Sequence, residues 1–270
     1  DDQHGTAIIS SAALLNALDI AKKKIDKVKV VVSGAGASAL SCVKLYRSLG
    51  IKLEHIFMYD SKGLIWKGRE GLDKMKAPYA VHKSDIDFKD AFKKADVFLG
   101  LSRAGLVSKE MIADMAKNPI VFALANPEPE IPYKQATAAR KDIIMATGRS
   151  DHPNQVNNVL GFPFIFRGAL DVRATTINEE MKLAAVHAIA DLAKETIPEE
   201  VIEAYGGSNI SFGKDQIIPK PLDPRLIYSV APAVAKAAID SGVAKNPIKN
   251  WEQYDHQLKK RLGLDNKLLR

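Results

Sequence analysis

The stretch from Val28 to Leu40, VKVVVSGAGASAL, restricts the fold of this chain more than any other. An apolar β-branched run, Val28 to Val32, feeds into Gly34-Ala35-Gly36-Ala37-Ser38-Ala39, and helical spacing continues from Ala37 to Leu49. This order reads as strand, glycine turn and helix. Gly34 permits a tight reversal, Gly36 lets backbone N–H groups approach a pyrophosphate, and Ala39 lets helix and strand pack closely. A helix N-terminus aimed at the turn adds orphan N–H donors and a partial positive charge, which suits an anion. Two glycines can equally serve only to close a βα turn. Context favours a dinucleotide site: a strand precedes the turn, a helix follows it, and an acid, Asp60, ends the next strand candidate.

The alternation continues down the chain. His55 to Asp60 (HIFMYD) reads as a second strand, with Ser61-Lys62-Gly63 as the turn beyond it. An acid at this place takes the ribose hydroxyls of NAD, whereas a nearby cation accommodates the 2′-phosphate of NADP. Asp60 and Lys62 offer both, so the spacing leaves the cofactor open, and Lys62 can equally be a solvated turn residue. Residues 70–83 are ambiguous between helix and loop. Asp87 to Lys94 reads as a short helix, Ala95 to Leu101 as a third strand, and Ser108 as the cap of KEMIADMAK. Pro119 to Ala125 is a fourth strand, Pro132 to Arg140 a helix, and Asp142 to Ala146 a fifth strand running into Thr147 to Asp151. Short continuous apolar runs alternating with helices predict an α/β fold, a Rossmann-like doubly wound parallel sheet with additional C-terminal helices. Ligands of such sheets sit outside the carboxyl ends of the strands. Here those ends are the glycine turn, Asp60, Ser102, Asn126 and the stretch from Gly148 to Asn158.

Helices flank the sheet. Residues 6–24 predict a helix with Thr6 as its N-cap and the lysines Lys22 to Lys24 closing it. Beyond the sheet, residues 161–195 and 223–244 are alanine-rich helical patterns separated by the Pro-punctuated Ile217 to Arg225. A last segment, Trp251 to Leu262, carries Trp251, Tyr254, Leu258 and Leu262 at helical spacing, a stripe suited to core or oligomer contact. The expected organisation is one dinucleotide-binding domain over 1–270, with its sheet core at about 28–150 and its helical part at about 157–270.

Composition narrows the class. With 270 residues, 46% apolar and 26% charged, the chain can bury a substantial core. No apolar run reaches the roughly 18 residues of a membrane span, and no basic-then-apolar leader pattern opens it, so a cytoplasmic, membrane-free setting is expected. The single cysteine, Cys42, excludes an internal disulfide and fits a small buried hydrophobe. Net charge is +7, but Lys22 to Lys24, Lys93, Lys94, Lys259 and Lys260 are spread over amphipathic helices as solvated faces. That distribution argues against nucleic acid, while a positive field can still gather a dianionic substrate and a phosphate-rich cofactor.

Three polar clusters remain. Asp1-Asp2-Gln3-His4-Gly5-Thr6 places two carboxylates and an imidazole just before a helix, where dipole partnership or capping is the plain explanation. Asn126 precedes proline in a turn, and Asn154, Asn157 and Asn158 could be caps. Taken together, DDQHGTA at 1–7, SGAGASA at 33–39, ALANPEPE at 123–130, TGRSDHPNQVNN at 147–158 and FPFIFRGALDVRATTINEEMKLAA at 162–185 resemble the malic enzymes. The resemblance is to bacterial NADP-preferring forms, including hybrids in which a phosphotransacetylase-like domain follows.

The resemblance implies an oxidoreductase that converts malate to pyruvate and CO2 while reducing NADP (or NAD), with Mg2+ or Mn2+. It implies that Asp2 is a metal ligand, with Asp1 beside it orienting a catalytic lysine or, with the pair reversed, itself ligating. It makes Asn126 and Asn158 amides that hold malate, turns Asn157 towards the cofactor, and matches Gly34, Ala35, Gly36 and Ala37 to the pyrophosphate loop. Asp60 and Lys62 then mark the adenosine end, and Lys62 as a 2′-phosphate partner tips the expectation to NADP. The family's catalytic lysine and tyrosine, and a further acidic pair at the metal, lie in a domain ahead of the DDQHGTA block. The chain is therefore expected to be a fragment of a longer protein, partnered by that N-terminal catalytic domain and inactive without it, and a homo-oligomer, dimer or higher. Another NAD(P)-dependent dehydrogenase, or a non-catalytic binding or assembly module, is the alternative.

Overall fold

The β-branched run lies at the centre of the sheet. In the computed structural model, which describes residues 3–82, 85–206 and 210–268, Val30–Ser33 (β1) pairs in parallel with Ile56–Asp60 (β2) on one side and Val97–Gly100 (β4) on the other. Ile120–Ala123 (β5) and Ile144–Thr147 (β6) extend the parallel sheet beyond β4. Every residue of β1, β4, β5 and β6 is buried, which is why these strands read as continuous apolar runs without alternation. A sixth strand, Gly63–Leu64 (β3), folds back antiparallel on β2 with Tyr59 opposite Leu64 and Asp60 opposite Gly63. Two residues leave no period to detect, so the expected turn at Ser61-Lys62-Gly63 runs straight into a hairpin edge.

The strand order is β3-β2-β1-β4-β5-β6. From β1 the chain passes through Ala37–Ser48 (α2) to β2 on one side, while β4 returns on the opposite side of β1. The connections thus diverge at the carboxyl ends of β1 and β4, the switch point where a doubly wound sheet leaves a crevice.

The chain divides into two compact units, Asp1–Asn157 with Gly213–Ile217, and Asn158–Phe212 with Ile218–Arg270. The first holds the sheet, α2, His4–Ala21 (α1) and three shorter helices, Phe88–Ala91 (α3), Lys109–Ala113 (α4) and Tyr133–Ala139 (α5). Phe57, Phe92, Phe98, Val121 and Met145 belong to one apolar cluster there. Asp87 and Ser108 cap α3 and α4, each side chain accepting the N–H three residues on. Thr6, by contrast, is not a cap. α1 begins two residues earlier, with Gln3 at its N-cap position and its Nε2 donating to Ser41 Oγ at 3.0 Å. Packing that buries Gly5, Ala7, Ile8 and Ile9 carries the helix past the local capping signal. At the other end Lys22 is left-handed (φ 56°), so α1 stops at Ala21 and Lys23 reaches Asp96 at 2.6 Å. Cys42 is fully buried, as expected.

The segment Gly213–Ile217 returns to the first unit because two buried asparagines hold it. Asn154, left-handed at φ 56°, donates to the carbonyls of Met145 (3.0 Å) and Lys214 (2.7 Å) and accepts the Ile217 N–H (2.9 Å). Asn16 donates to the Ile217 carbonyl at 2.8 Å. Asn154 is therefore a clamp, and this clamping explains its polarity among apolar neighbours.

The second unit is helical: Phe162–Asp171 (α6), Glu179–Leu192 (α7), Glu199–Ala204 (α8), Arg225–Asp240 (α9) and Trp251–Leu268 (α10). The pattern over 161–195 breaks where Arg173 turns left-handed (φ 51°) and Asn178 starts α7 by accepting the Met181 N–H at 3.0 Å. In the α10 stripe Tyr254 and Leu258 are buried beside Ala231, and Tyr254 donates its hydroxyl to Asp171 at 2.8 Å. Trp251 remains 39% exposed. No described helix is long and apolar enough to cross a membrane.

Candidate dinucleotide site

A cleft of about 700 Å3 opens at the carboxyl ends of β1, β2 and β4. Its floor is the glycine turn and its walls include Asp60, Lys76, Ser102 and Arg103. The volume falls in the range of cofactor pockets, roughly 300–1,000 Å3.

The two glycines of the turn do different work. Gly34 has φ +110°, and a Cβ on it would stand 2.5 Å from the Leu101 carbonyl oxygen, so both conformation and close approach demand glycine. Its N–H donates to the Tyr59 carbonyl at 2.9 Å and ties the turn to the end of β2. A Cβ on Gly36, at φ −80°, would meet nothing within 4 Å. Gly36 is thus not required by the fold; it keeps the cleft open above the first residue of α2. Beside the turn the Ser33 and Ser102 hydroxyls meet at 2.7 Å.

At the far end of the cleft Asp60 is already engaged. Arg69 grips it in a fork, Nη1 to Oδ1 at 3.0 Å and Nη2 to Oδ2 at 2.6 Å, and Lys76 Nζ reaches Oδ2 at 2.8 Å. The Lys62 N–H donates to Oδ1 at 2.9 Å. Arg69 is itself braced by the carbonyls of Gly63 (3.2 Å) and Leu64 (3.0 Å) of the β3 hairpin. Burial alone would disfavour the Asp60 charge, but the hydrogen bonds from Arg69, Lys76 and the Lys62 N–H outweigh it and hold the carboxyl well below the usual range. One carboxylate and two cations leave the cluster with a net positive charge.

Of the residues singled out in the sequence, Gly34, Ala35, Gly36 and Asp60 line the cleft together, whereas Ala37, Lys62, Asn126 and Asn157 do not. Lys62 is exposed on the β2–β3 turn. Asn126 is exposed beyond the carboxyl end of β5, Asn157 is half-buried at the end of the first unit, and Asn158 is half-buried at the start of the second. Asp1 and Asp2 lie outside the described residues. Among the described residues, no group of three or more His, Cys, Asp or Glu could hold a metal ion. Sequence reasoning missed Arg69 and Lys76. They follow Asp60 by 9 and 16 residues in an irregular segment, where no periodicity says which side chains turn back on the strand.

The profile of the malic enzyme NAD binding domain matches residues 3–203. The chain belongs to the malic enzyme family. It is 58% identical over 260 residues to the NADP-dependent malic enzyme of Haemophilus influenzae, covering 96% of this chain and 34% of that protein. It is 55% identical over 255 residues to the NAD-dependent malic enzyme of Rhizobium meliloti, covering 94% of this chain and 33% of that one. The crystal structure of Entamoeba histolytica malic enzyme superposes with a TM-score of 0.87 at 38% identity, covering all of this chain and 55% of that one. The chain thus spans about a third of the length of these two malic enzymes and carries the family's dinucleotide-binding region on a Rossmann-like sheet.

Proposed function

We propose that this chain is the NADP-binding part of an enzyme that oxidises and decarboxylates malate to pyruvate. The observation that carries the cofactor choice is the Asp60–Arg69–Lys76 cluster at the end of β2. A carboxylate that accepts ribose hydroxyls for NAD needs free oxygens, and here both are occupied by cations and a backbone N–H. The surplus positive charge suits a 2′-phosphate, with Lys76 as its cleft-lining partner and Lys62 on the adjoining turn. The glycine turn and the N-terminus of α2 supply main-chain N–H groups for the pyrophosphate.

When bound, NADP supplies the hydride acceptor. The residues of this chain hold and orient: Gly34 to Ala37 fix the pyrophosphate, Lys76 the adenosine end, and Asn126 and Asn158 keep the malate-binding role that the family resemblance gives them, with Asn157 towards the cofactor. The assignment of Asp1 and Asp2 to Mg2+ or Mn2+ rests on that resemblance. The general acid and base, an N-terminal domain carrying them, and a homo-oligomeric assembly belong to the same proposal.

Fluorescence titration of the 270-residue chain with NADPH and NADH tests the cofactor reading, with tighter NADPH binding expected. Equal or reversed affinities overturn it. Incubation with malate, NADP and Mn2+ is expected to yield no pyruvate, and appreciable turnover refutes the need for residues outside this chain.

A further inference from the structure

We propose that Glu130 is a positioning residue whose buried carboxylate couples the cofactor cleft to the turn carrying Asn126. The inference rests on the dinucleotide reading above. Glu130 closes the turn that begins at Asn126, and it has no exposed surface. Its Oε1 accepts the Ser102 N–H at 2.9 Å and its Oε2 accepts the Ala125 N–H at 3.1 Å. These donors stand just beyond the carboxyl ends of adjacent strands β4 and β5, past the point where the Leu124 N–H donates to Gly100 (3.0 Å). The same segment is stitched to the β4 loop through its backbone: Val107 donates to the Glu130 carbonyl at 3.0 Å and Gly105 to the Pro129 carbonyl at 3.3 Å.

The sequence makes room for this carboxylate. A Cβ on Gly100 would stand 2.3 Å from Glu130 Cδ, so only glycine at the end of β4 lets the side chain lie across the strand. Burial pushes the Glu130 pKa up, and the N–H groups of Ser102 and Ala125 oppose that rise. An apolar side chain could fill the same space, but it would leave the Ser102 and Ala125 N–H groups without this acceptor. A carboxylate with one N–H on each oxygen does something packing cannot: it fixes the spacing of two loops to hydrogen-bond tolerance. Ser102 lines the cleft and touches Ser33, next to the glycine turn. A continuous polar path therefore runs from the pyrophosphate loop through Ser102 and Glu130 to Ala125, the neighbour of Asn126. Ala125 does not line the cleft. Its N–H is bonded to the Glu130 carboxylate, so the share of its response to cofactor that Glu130 carries is the share that Glu130→Gln removes.

The test is residue-resolved amide hydrogen exchange of the chain with and without saturating NADPH. In the unaltered protein the Ser102 and Ala125 amides are expected to slow together. Glu130→Gln keeps the shape but accepts with one oxygen only and turns an NH2 towards the other donor. NADPH should then protect Ser102 without protecting Ala125, and Kd should rise about tenfold, the equivalent of one charge-assisted hydrogen bond. Protection of Ser102 with Ala125 unchanged in the unaltered protein overturns the coupling and leaves the dinucleotide reading intact. Failure to bind NADPH at all overturns both. The unaltered protein alone can overturn the coupling even if Glu130→Gln does not fold.

Discussion

Replacing Lys76 with Met should abolish most of the NADPH preference proposed above. Met keeps the apolar stem and removes the charge, so packing changes little. The Lys76 side chain is 26% exposed and donates to Asp60 Oδ2 at 2.8 Å, while Asp60 itself is 8% exposed. A charge-assisted hydrogen bond contributes about 1.5–3 kcal/mol when well shielded, and at a quarter-exposed position screening lowers this to about 1–2 kcal/mol. That corresponds to a loss of about 5–30-fold in NADPH affinity. Two secondary effects act in the same direction on the ratio. The cluster loses its surplus positive charge, and Asp60 Oδ2, still held by Arg69 at 2.6 Å, loses one of its two cationic donors and can accept a ribose hydroxyl in its place, which favours NADH. The NADPH-to-NADH affinity ratio should therefore fall by roughly 10–50-fold, mostly through NADPH. Titrations of both cofactors at 50 and 300 mM salt check this, and the salt dependence of NADPH binding should weaken as well. A loss equal for the two cofactors would mean that Lys76 only supports the fold, and an unchanged ratio would mean that the 2′-phosphate is read elsewhere.

Other consequences of the geometry can be measured independently. Gly34→Ala should destabilise the first unit by about 2 kcal/mol or more, because it adds backbone strain to a 2.5 Å clash with the Leu101 carbonyl. Gly36→Ala should leave the urea midpoint nearly unmoved yet weaken dinucleotide binding about tenfold by occupying the space of the pyrophosphate. Equal destabilisation by the two refutes the division between them. Asp60 makes a pH-dependent contribution of known sign. Its folded pKa is depressed, so its stabilisation is present above the unfolded value of about 3.9 and is lost as pH falls through that value towards the folded one. The stability gap between the unaltered protein and Asp60→Asn should be constant from pH 7 to about 5 and should narrow progressively below about pH 4, as the unfolded carboxyl takes up its proton before the folded one. A gap that does not narrow at all between about pH 5 and about pH 2 would show that the Asp60 charge is not what the cluster uses.

Much of this protein is written in local sequence. Continuous apolar runs at Val30, Val97, Ile120 and Ile144 report strands buried on both faces, because period-2 polarity vanishes when no face meets water. The glycine turn reports its own geometry, since no other residue adopts φ +110° against a neighbouring carbonyl. The polar blocks carry enough pattern to identify the malic enzyme family, although Asp1 and Asp2 lie outside the described residues. What sequence cannot express is which distant polar groups meet. Thr6 has the chemistry of a cap, but burial of Gly5 and Ala7 carries α1 past it. Asp60 reads as a free acceptor until Arg69 and Lys76 fold back on it through an irregular segment. Asn154 looks like a cap until residues from 60 positions away arrive to be clamped. Glu130 looks like one more charge in a turn until Gly100, thirty residues earlier, leaves it a place to be buried. Hydrophobic period and glycine conformation are properties of a few consecutive residues, so the chain alone determined the sheet and the pyrophosphate turn. Charge neutralisation and hydrogen-bond closure are properties of the space between segments, so only the tertiary structure decided which acid is masked and which one joins the two loops.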